Sequence, residues 1–201
     1  QSHPVQAPQQ RWCALCLYPA KAATPTVLDE YGICMGCKMA KTTAETSEAE
    51  WSRRFALLQK TLAEGQNYGD STYDCVIAVS GGKDSYFQTH LIKEVLGLNP
   101  LLVTYYGNNY SDVGERNLHN MKEAFGVDHM VFSPSVKTLK KLNRIGFILL
   151  GDMNWHNHMG IASLPMKIAA KMKIPFVIWG EHGYADLCGQ FSLDDFIEFT
   201  Y

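Results

Sequence analysis

The stretch YDCVIAVSGGKDSYF, Tyr73–Phe87, decides how the rest of the chain is read. Val76–Val79 is a short apolar run, and Ser80-Gly81-Gly82-Lys83-Asp84-Ser85 follows it without a gap. A strand that runs straight into paired glycines and then a helix makes an anion cradle. Glycine lets backbone N–H groups turn inward, and the helix N-terminus adds its positive end. Ser80 and Ser85 contribute hydroxyl donors and Lys83 a point charge. A carboxylate at Asp84 repels bound phosphate unless a cation lies between them, so Asp84 is expected to hold Mg²⁺. The spacing is not that of a Walker A loop. Ile77 stands where its first glycine belongs, and Asp84 where a metal-binding hydroxyl follows the lysine. Nor is the dinucleotide spacing G-x-G-x-x-G present. The bland alternative is a plain strand-to-helix turn.

Outward from this loop the pattern alternates. Apolar strands are expected at Cys75–Val79, Leu101–Tyr106, His129–Phe132 and Ile174–Trp179. Between them lie amphipathic helices. One carries Phe87, Leu91 and Val95 inward and stops at Gly97. One starts near Asp112 with Leu118, Met121 and Phe125 inward and Gly126 behind. One covers Val136–Ile145 with Leu139 and Leu142, and one carries Leu164, Ile168 and Met172. Such alternation predicts an α/β fold, a parallel doubly wound sheet covered on both faces. Right-handed crossovers then bring SGGKDS, GNNYSD, SPSVK and GEHGYADL to one edge, where ligands of open sheets bind. Ahead of the sheet, Ser47-x-x-Glu50 is a capping-box pattern. Trp51, Phe55, Leu58 and Leu62 recur at helical spacing before Gly65.

The 201 residues suffice for one medium domain and a small appendage. Net charge is −2, so no global basic field draws in nucleic acid. No run approaches the roughly 18 apolar residues of a membrane helix. The Pro/Gln-rich start lacks the apolar core of a secretory signal, so residues 1–10 read as a disordered lead-in and the protein as cytoplasmic. Cys13, Cys16, Cys34 and Cys37 form two C-x2-C pairs, a spacing that suits a closed four-thiolate Zn²⁺ site. Four unrelated buried thiols are the alternative. The expected organisation is a zinc unit over 11–43, a linker helix over 44–70 and the nucleotide-binding sheet over 71–201.

Ser80–Ser85 resembles the PP-loop, S-G-G-x-D-S, of the ATP pyrophosphatase family, and the likeness extends from about Tyr73 to the end of the chain. It implies a sheet of the PP-loop (adenine nucleotide alpha hydrolase-like) type. In that family the loop grips the β- and γ-phosphates of ATP, which leave as pyrophosphate. The substrate's oxygen becomes adenylated, and ammonia or a sulfur donor then displaces AMP. The zinc pairs, SGGKDS, SDVGERNLHNM and PMKIAAKMKIPFVIWGEHGYADL in succession are similar to the N-acetyl sugar amidotransferases of surface-polysaccharide and lipopolysaccharide biosynthesis. That resemblance implies conversion of an acetamido group on a nucleotide-sugar to an acetamidino group. Ammonia would come from separate glutaminase and synthase-like subunits. It also implies ATP at Ser80, Gly81, Gly82, Lys83, Asp84 and Ser85, with Lys83 and Asp84 as catalytic residues; Glu181, on the same ligand edge, is the third catalytic candidate, to bind a second metal or take a proton from ammonium, its alternative being a solvated loop carboxylate. Members of that group are longer than 201 residues, so a C-terminal portion that shapes the sugar site is either missing from this chain or has no counterpart in it.

Two other readings stay open. One is a transfer-RNA thiolase of the same superfamily, which needs sulfur-handling cysteines in the catalytic domain; only Cys75 and Cys188 are available there. The other is a non-catalytic nucleotide-binding remnant. Cys75 is expected to be a packed thiol, and Cys188 the same on the ligand edge. His182 could donate to a phosphate. His156 and His158, two apart, share a face if they lie on a strand or loop, where they could bind phosphate or metal. Asn108 and Asn109 read as turn residues that could reach a ribose. Lys137, Lys140, Lys141 and Arg144 form a basic helix stripe, either solvated or facing an anion.

Overall fold

The computed structural model describes residues 9–22, 25–68 and 71–180. Their contacts divide the chain inside one helix, between Arg53 and Arg54. Ahead of that point lie two short knuckles, each held by an isolated antiparallel bridge, Trp12 to Pro19 and Leu28 to Cys34. Helix α1, Met35–Glu45, follows directly. Helix α2, Glu48–Gly65, starts where the capping box lies: the Glu50 N–H donates to Ser47 Oγ at 3.2 Å. Its apolar stripe is only partly used, since Leu62 is buried whereas Phe55 and Leu58 are more than a third exposed. Gly65 closes the helix beneath the ring of Phe176; a Cβ there would lie 1.8 Å from a ring carbon.

The second unit is a four-stranded parallel sheet in the order β3-β2-β1-β4. Its strands are β1 (Cys75–Ala78), β2 (Pro100–Tyr105), β3 (Asp128–Phe132) and β4 (Phe176–Ile178). Side chains alternate across it, as the two-residue period of a strand demands. Cys75, Ile77 and Leu102 face one layer, where α3 (Lys83–His90) supplies Tyr86 and α4 (Asp112–Phe125) supplies Leu118 and Met121. Val76, Leu101 and Val103 face the other, against Leu164, Ile168 and Ala169 of α6 (Trp155–Met172). Helix α5, Val136–Leu150, packs beside α6. The parallel doubly wound α/β sheet expected of a PP-loop domain is the one observed. β1 lies at the centre, with β2 on one side and β4 on the other, so the connections diverge at its C-terminal end. Among the described residues no helix is long and apolar enough to cross a membrane.

Three local expectations fail, each for a physical reason. Phe87 and Val95 point outward rather than inward, and the buried positions of this helix are Ser85, Gln88, Thr89 and Ile92. The inward face is polar because it lies under the loop. The helix also closes with a π turn, Leu91–Val95, in which the Leu96 N–H reaches Leu91 O and shifts the register. Helix α5 runs five residues past the expected end, to Gly151 in the left-handed region, and leaves Phe147, Ile148, Leu149 and Leu150 exposed. Helix α6 begins at Trp155, so His156 and His158 lie on a helix and diverge: His156 is buried, while the His158 side chain is 62% exposed.

Candidate nucleotide cleft and cysteine cluster

β1 leads into the glycine loop with the Val79 N–H bonded to Val103 O. Gly81 then takes φ +78°, and a Cβ there would sit 2.8 Å from the backbone nitrogen of Leu118 and 2.9 Å from its Cα. Both the backbone angle and the fit against α4 therefore require glycine. The first N–H groups of a helix have no intrahelical partner, and Gly82, the N-cap of α3, offers no side chain to cap them. Ser85 turns inward and closes the loop: its Oγ accepts the Ser80 N–H at 2.9 Å and lies 3.5 Å from Ser80 Oγ. Thr89 Oγ1 donates back to Ser85 O at 2.8 Å and locks that turn. Lys83 Nζ and Asp84 Oδ1 pair with each other at 2.7 Å on the surface. A surface pair of this kind contributes about 0–1 kcal/mol, so both groups are available to a ligand at little cost.

Ser80, Gly81 and Gly82 form one wall of a cleft of about 600 Å³. The β2 exit supplies Tyr105, Gly107 and Asn109, and the entries and first two turns of α4 and α6 supply the rest, among them Asn154, Asn157 and His158. Helix α4 enters with Ser111 as its N-cap, the hydroxyl accepting the Gly114 N–H at 3.2 Å. Tyr106 and Tyr110 stack at 5.0 Å and 4° beside the cleft, and the Tyr106 hydroxyl donates to Glu115. Asn108 adopts φ +56° and its amide donates to Ser133 Oγ and Pro134 O, so it serves the turn, whereas Asn109 lines the cleft.

His156 is held between Asn143, at 2.5 Å, and Tyr105 Oη, at 3.4 Å, and burial pushes its pKa down. It acts as a packed neutral histidine that supports the Tyr105 wall. His158, by contrast, lines the cleft itself. Gln88, on the inward face of α3, packs over Gly180 at the β4 exit, and its Oε1 has no hydrogen-bond partner among the described residues. Glu181, His182 and Cys188 lie outside the described residues. Cys75 is fully buried, and that burial pushes its thiol up to about 12. Lys137, Lys140, Lys141 and Arg144 are exposed, on the side of α5 away from buried Leu139. The roles of Asn154, Asn157, Tyr105 and Tyr110 in lining the cleft escaped the sequence reading. The one available signal was the polar cluster in DMNWHNH, which becomes informative only once it is known to open a helix.

In the N-terminal unit, the sulfurs of Cys13, Cys16, Cys34 and Cys37 all lie within 4.8 Å of one another. The Cys13–Cys37 and Cys16–Cys34 separations are 3.9 and 3.6 Å. A tetrahedron of thiolates around zinc, at a Zn–S distance of about 2.3 Å, has edges of about 3.8 Å. The set thus fits one zinc ion and leaves no open coordination position. Backbone N–H groups already point at the sulfurs, from Leu15 and Cys34 to Cys13 Sγ at 3.4 and 3.3 Å, and from Cys37 to Cys34 Sγ at 3.4 Å. Backbone donors from Cys16 and Cys34 lead in bringing the Cys13 thiol down to about 6.

No family model matches the chain. An uncharacterised protein of Methanocaldococcus jannaschii is 26% identical over 121 residues, which is 60% of this chain and 42% of that protein. Among solved structures, an NMN synthetase from Francisella tularensis aligns with a TM-score of 0.52 at 18% identity, over 74% of this chain and 60% of that one. An NH3-dependent NAD synthetase from Campylobacter jejuni subsp. jejuni, in complex with the nitrate ion, aligns with a TM-score of 0.50 at 15% identity, over 71% and 61%. The chain spans less than two thirds of the length of each of these proteins. What it shares with the two synthetases is their fold.

Proposed function

We propose that this chain belongs to the PP-loop ATP pyrophosphatases and is an ATP-dependent, AMP-forming amidotransferase acting on an N-acetylated nucleotide-sugar. The observation that carries the nucleotide reading is the Gly81 cradle. It admits no Cβ, and it opens the uncapped N-terminus of α3 beside the cleft. Backbone N–H groups there, with Lys83 and Ser80, hold the β- and γ-phosphates of ATP. Asp84 would hold Mg²⁺, which supplies charge neutralisation for the departing pyrophosphate. The acetamido oxygen attacks the α-phosphorus, and the bond to pyrophosphate breaks. Ammonia then adds to the imidate carbon, AMP leaves with the oxygen, and a proton is lost to give the acetamidino group. Binding and charge placement perform this sequence, and no protein nucleophile is needed.

Ammonia is supplied by separate glutaminase and synthase-like subunits, and Glu181 accepts a proton from ammonium as it arrives. The likeness to two synthetases, one of them named as NH3-dependent, supports an ammonia-using member of the fold. In the thiolase alternative sulfur handling would fall to Cys188, because Cys75 is sealed in the sheet and carries a thiol that resists ionisation.

The test is a product assay with Mg-ATP, ammonium and a panel of N-acetylated nucleotide-sugars. AMP and pyrophosphate formed only in the presence of an acetamido sugar support the reading. ADP as the product would remove it from this class, and AMP formed with transfer RNA and a sulfur donor would move it to the thiolases.

A further inference from the structure

The turn that leads into α6 directs its polar side chains at one imidazole. Asn154 is the N-cap of that helix, a position where an asparagine side chain ordinarily accepts a backbone N–H, yet it makes no such bond. Its Oδ1 accepts instead from Asn157 Nδ2 at 2.5 Å, and its Nδ2 faces His158 Nε2 at 3.4 Å. Asp152 is fixed through Oδ1, which accepts the Asn154 backbone N–H at 2.8 Å, and its Oδ2 lies 3.9 Å from His158 Nδ1. A carboxylate only accepts and an amide nitrogen only donates, so both neighbours place the proton of the neutral ring on Nδ1. Nε2 is left as an acceptor on a side chain that is 62% exposed and lines the cleft with Ser80, Gly81 and Gly82. His156, in the same turn, is buried against Asn143 and Tyr105 and takes no part.

We infer that His158 is a further catalytic residue, the group that takes up the proton released when ammonia adds to the adenylated substrate. The inference rests on the amidotransferase reading given above, which leaves that proton without an acceptor; Glu181 serves the earlier loss of a proton from ammonium. The nitrogen of ammonia forms a bond to the imidate carbon, and the π pair of the C=N bond moves to the sugar nitrogen. The added nitrogen is then an ammonium, and Nε2 takes one of its protons. The lone pair so freed re-forms a C=N bond as the C–O bond breaks, and AMP leaves with the oxygen and the electrons of that bond. Imidazole suits this step because it gains and loses a proton near neutral pH. Asp152 faces the imidazolium that forms, and the exposed ring returns the proton to water. The Asn154 contact at 3.4 Å is longer than the usual range of about 2.7–3.2 Å, so an N–H of the adduct displaces it without loss of a strong bond. A phosphate oxygen at Nε2 would face a lone pair, so the same arrangement disfavours a purely anion-binding histidine.

Two measurements test it. Long-range proton–nitrogen correlation NMR on the intact chain without ligand reads the tautomer, and the neutral ring of His158 should carry its proton on Nδ1. A proton on Nε2 as the major neutral form would overturn the inference and leave the proposed function untouched. Single-turnover reactions of the unaltered protein and His158→Ala then follow pyrophosphate and AMP separately, with Mg-ATP, ammonium and the panel of N-acetylated nucleotide-sugars. In the variant pyrophosphate should form within about twofold of the unaltered rate, whereas AMP should appear roughly 100-fold more slowly and recover in part with added imidazole. An equal slowing of both products would make His158 a binding residue and overturn the claim, as would no slowing of either. Neither product from the unaltered protein with any sugar of the panel would remove the amidotransferase reading and this inference with it. The ring is exposed, so His158→Ala should leave the melting temperature unchanged, and the NMR test needs no variant.

Discussion

The cysteine cluster draws four ligands of one kind from two short knuckles, and their sulfurs converge within 4.8 Å. The cleft at the sheet edge draws unlike groups from the β1 loop, the β2 exit and the entries and first two turns of α4 and α6. In the first, backbone N–H groups point inward at side-chain sulfur. In the second, backbone N–H groups at the start of α3 are left open for an anion. A closed set of identical ligands can stabilise a fold and has no position left for a substrate. An open set of unlike donors stabilises little and is suited to a bound guest. The difference teaches that a set of like ligands from neighbouring knuckles suits a closed metal site, whereas unlike groups gathered from separate crossovers leave an open one.

The largest effect that could break this comparison is loss of metal. Cys34→Ser, or treatment with a strong chelator, is expected to unfold the N-terminal unit, because structural zinc contributes on the order of 10 kcal/mol to such units. Metal analysis should find one zinc per chain before and none after, with a matching loss of dispersion for residues 11–45 in NMR spectra. A chain folded there without metal would end the claim.

Next in size is Lys83→Ala. The side chain is 89% exposed, so stability should move by no more than about 0.5 kcal/mol. The AMP-forming rate, by contrast, should fall roughly 100- to 1,000-fold if Lys83 stabilises charge in the transition state. A rate loss matched by an equal loss of melting temperature would make Lys83 a structural residue.

Gly81→Ala attacks the cleft through the backbone. Positive φ combined with a collision against the Leu118 main chain should cost about 2–4 kcal/mol, read as a fall in melting temperature. Gly82→Ala meets only Ser80 Oγ, at 3.6 Å, and should cost far less. Equal costs at the two glycines would show that the cradle is not held against α4.

The smallest effect lies outside both sites and calibrates them. Thr104 Oγ1 gives its proton to Val79 O at 2.7 Å, so the His129 Nε2–H, 2.9 Å away, must be the donor of that pair. Burial, with positive charge at His119 and Lys122, brings His129 down to about 4 from 6.5. The folded state then binds the proton less readily than the unfolded one. Stability is fully present above pH 6.5 and falls as the pH drops from 6.5 towards 4. His129→Gln should flatten urea midpoints across that window, and a variant with the original slope would remove His129 as the cause.

Much of the fold was legible because strands and helices carry different periods. Cys75–Ala78 and Pro100–Tyr105 sit within a residue or two of the apolar runs that announce them. Gly126 ends α4 in the left-handed conformation that glycine favours. The buried face of α3 was misread because its inward positions are Ser85, Gln88 and Thr89, and hydropathy cannot mark a polar face as internal. His156 and His158 were misplaced for a related reason: without the start of α6, their two-residue spacing had no fixed meaning.

By itself the sequence determined the parallel sheet, the glycine loop at its first exit and the paired cysteines, because each depends on short-range spacing and local backbone freedom. Only the tertiary structure decided that Asn154, Asn157 and His158 share a cleft with Ser80–Gly82, some 75 residues away in the chain. It also decided that Leu118, rather than any near neighbour, is what Gly81 must avoid. These relations arise where separate crossovers return to one sheet edge, and the crossing of distant segments leaves no periodic mark in the segments that meet.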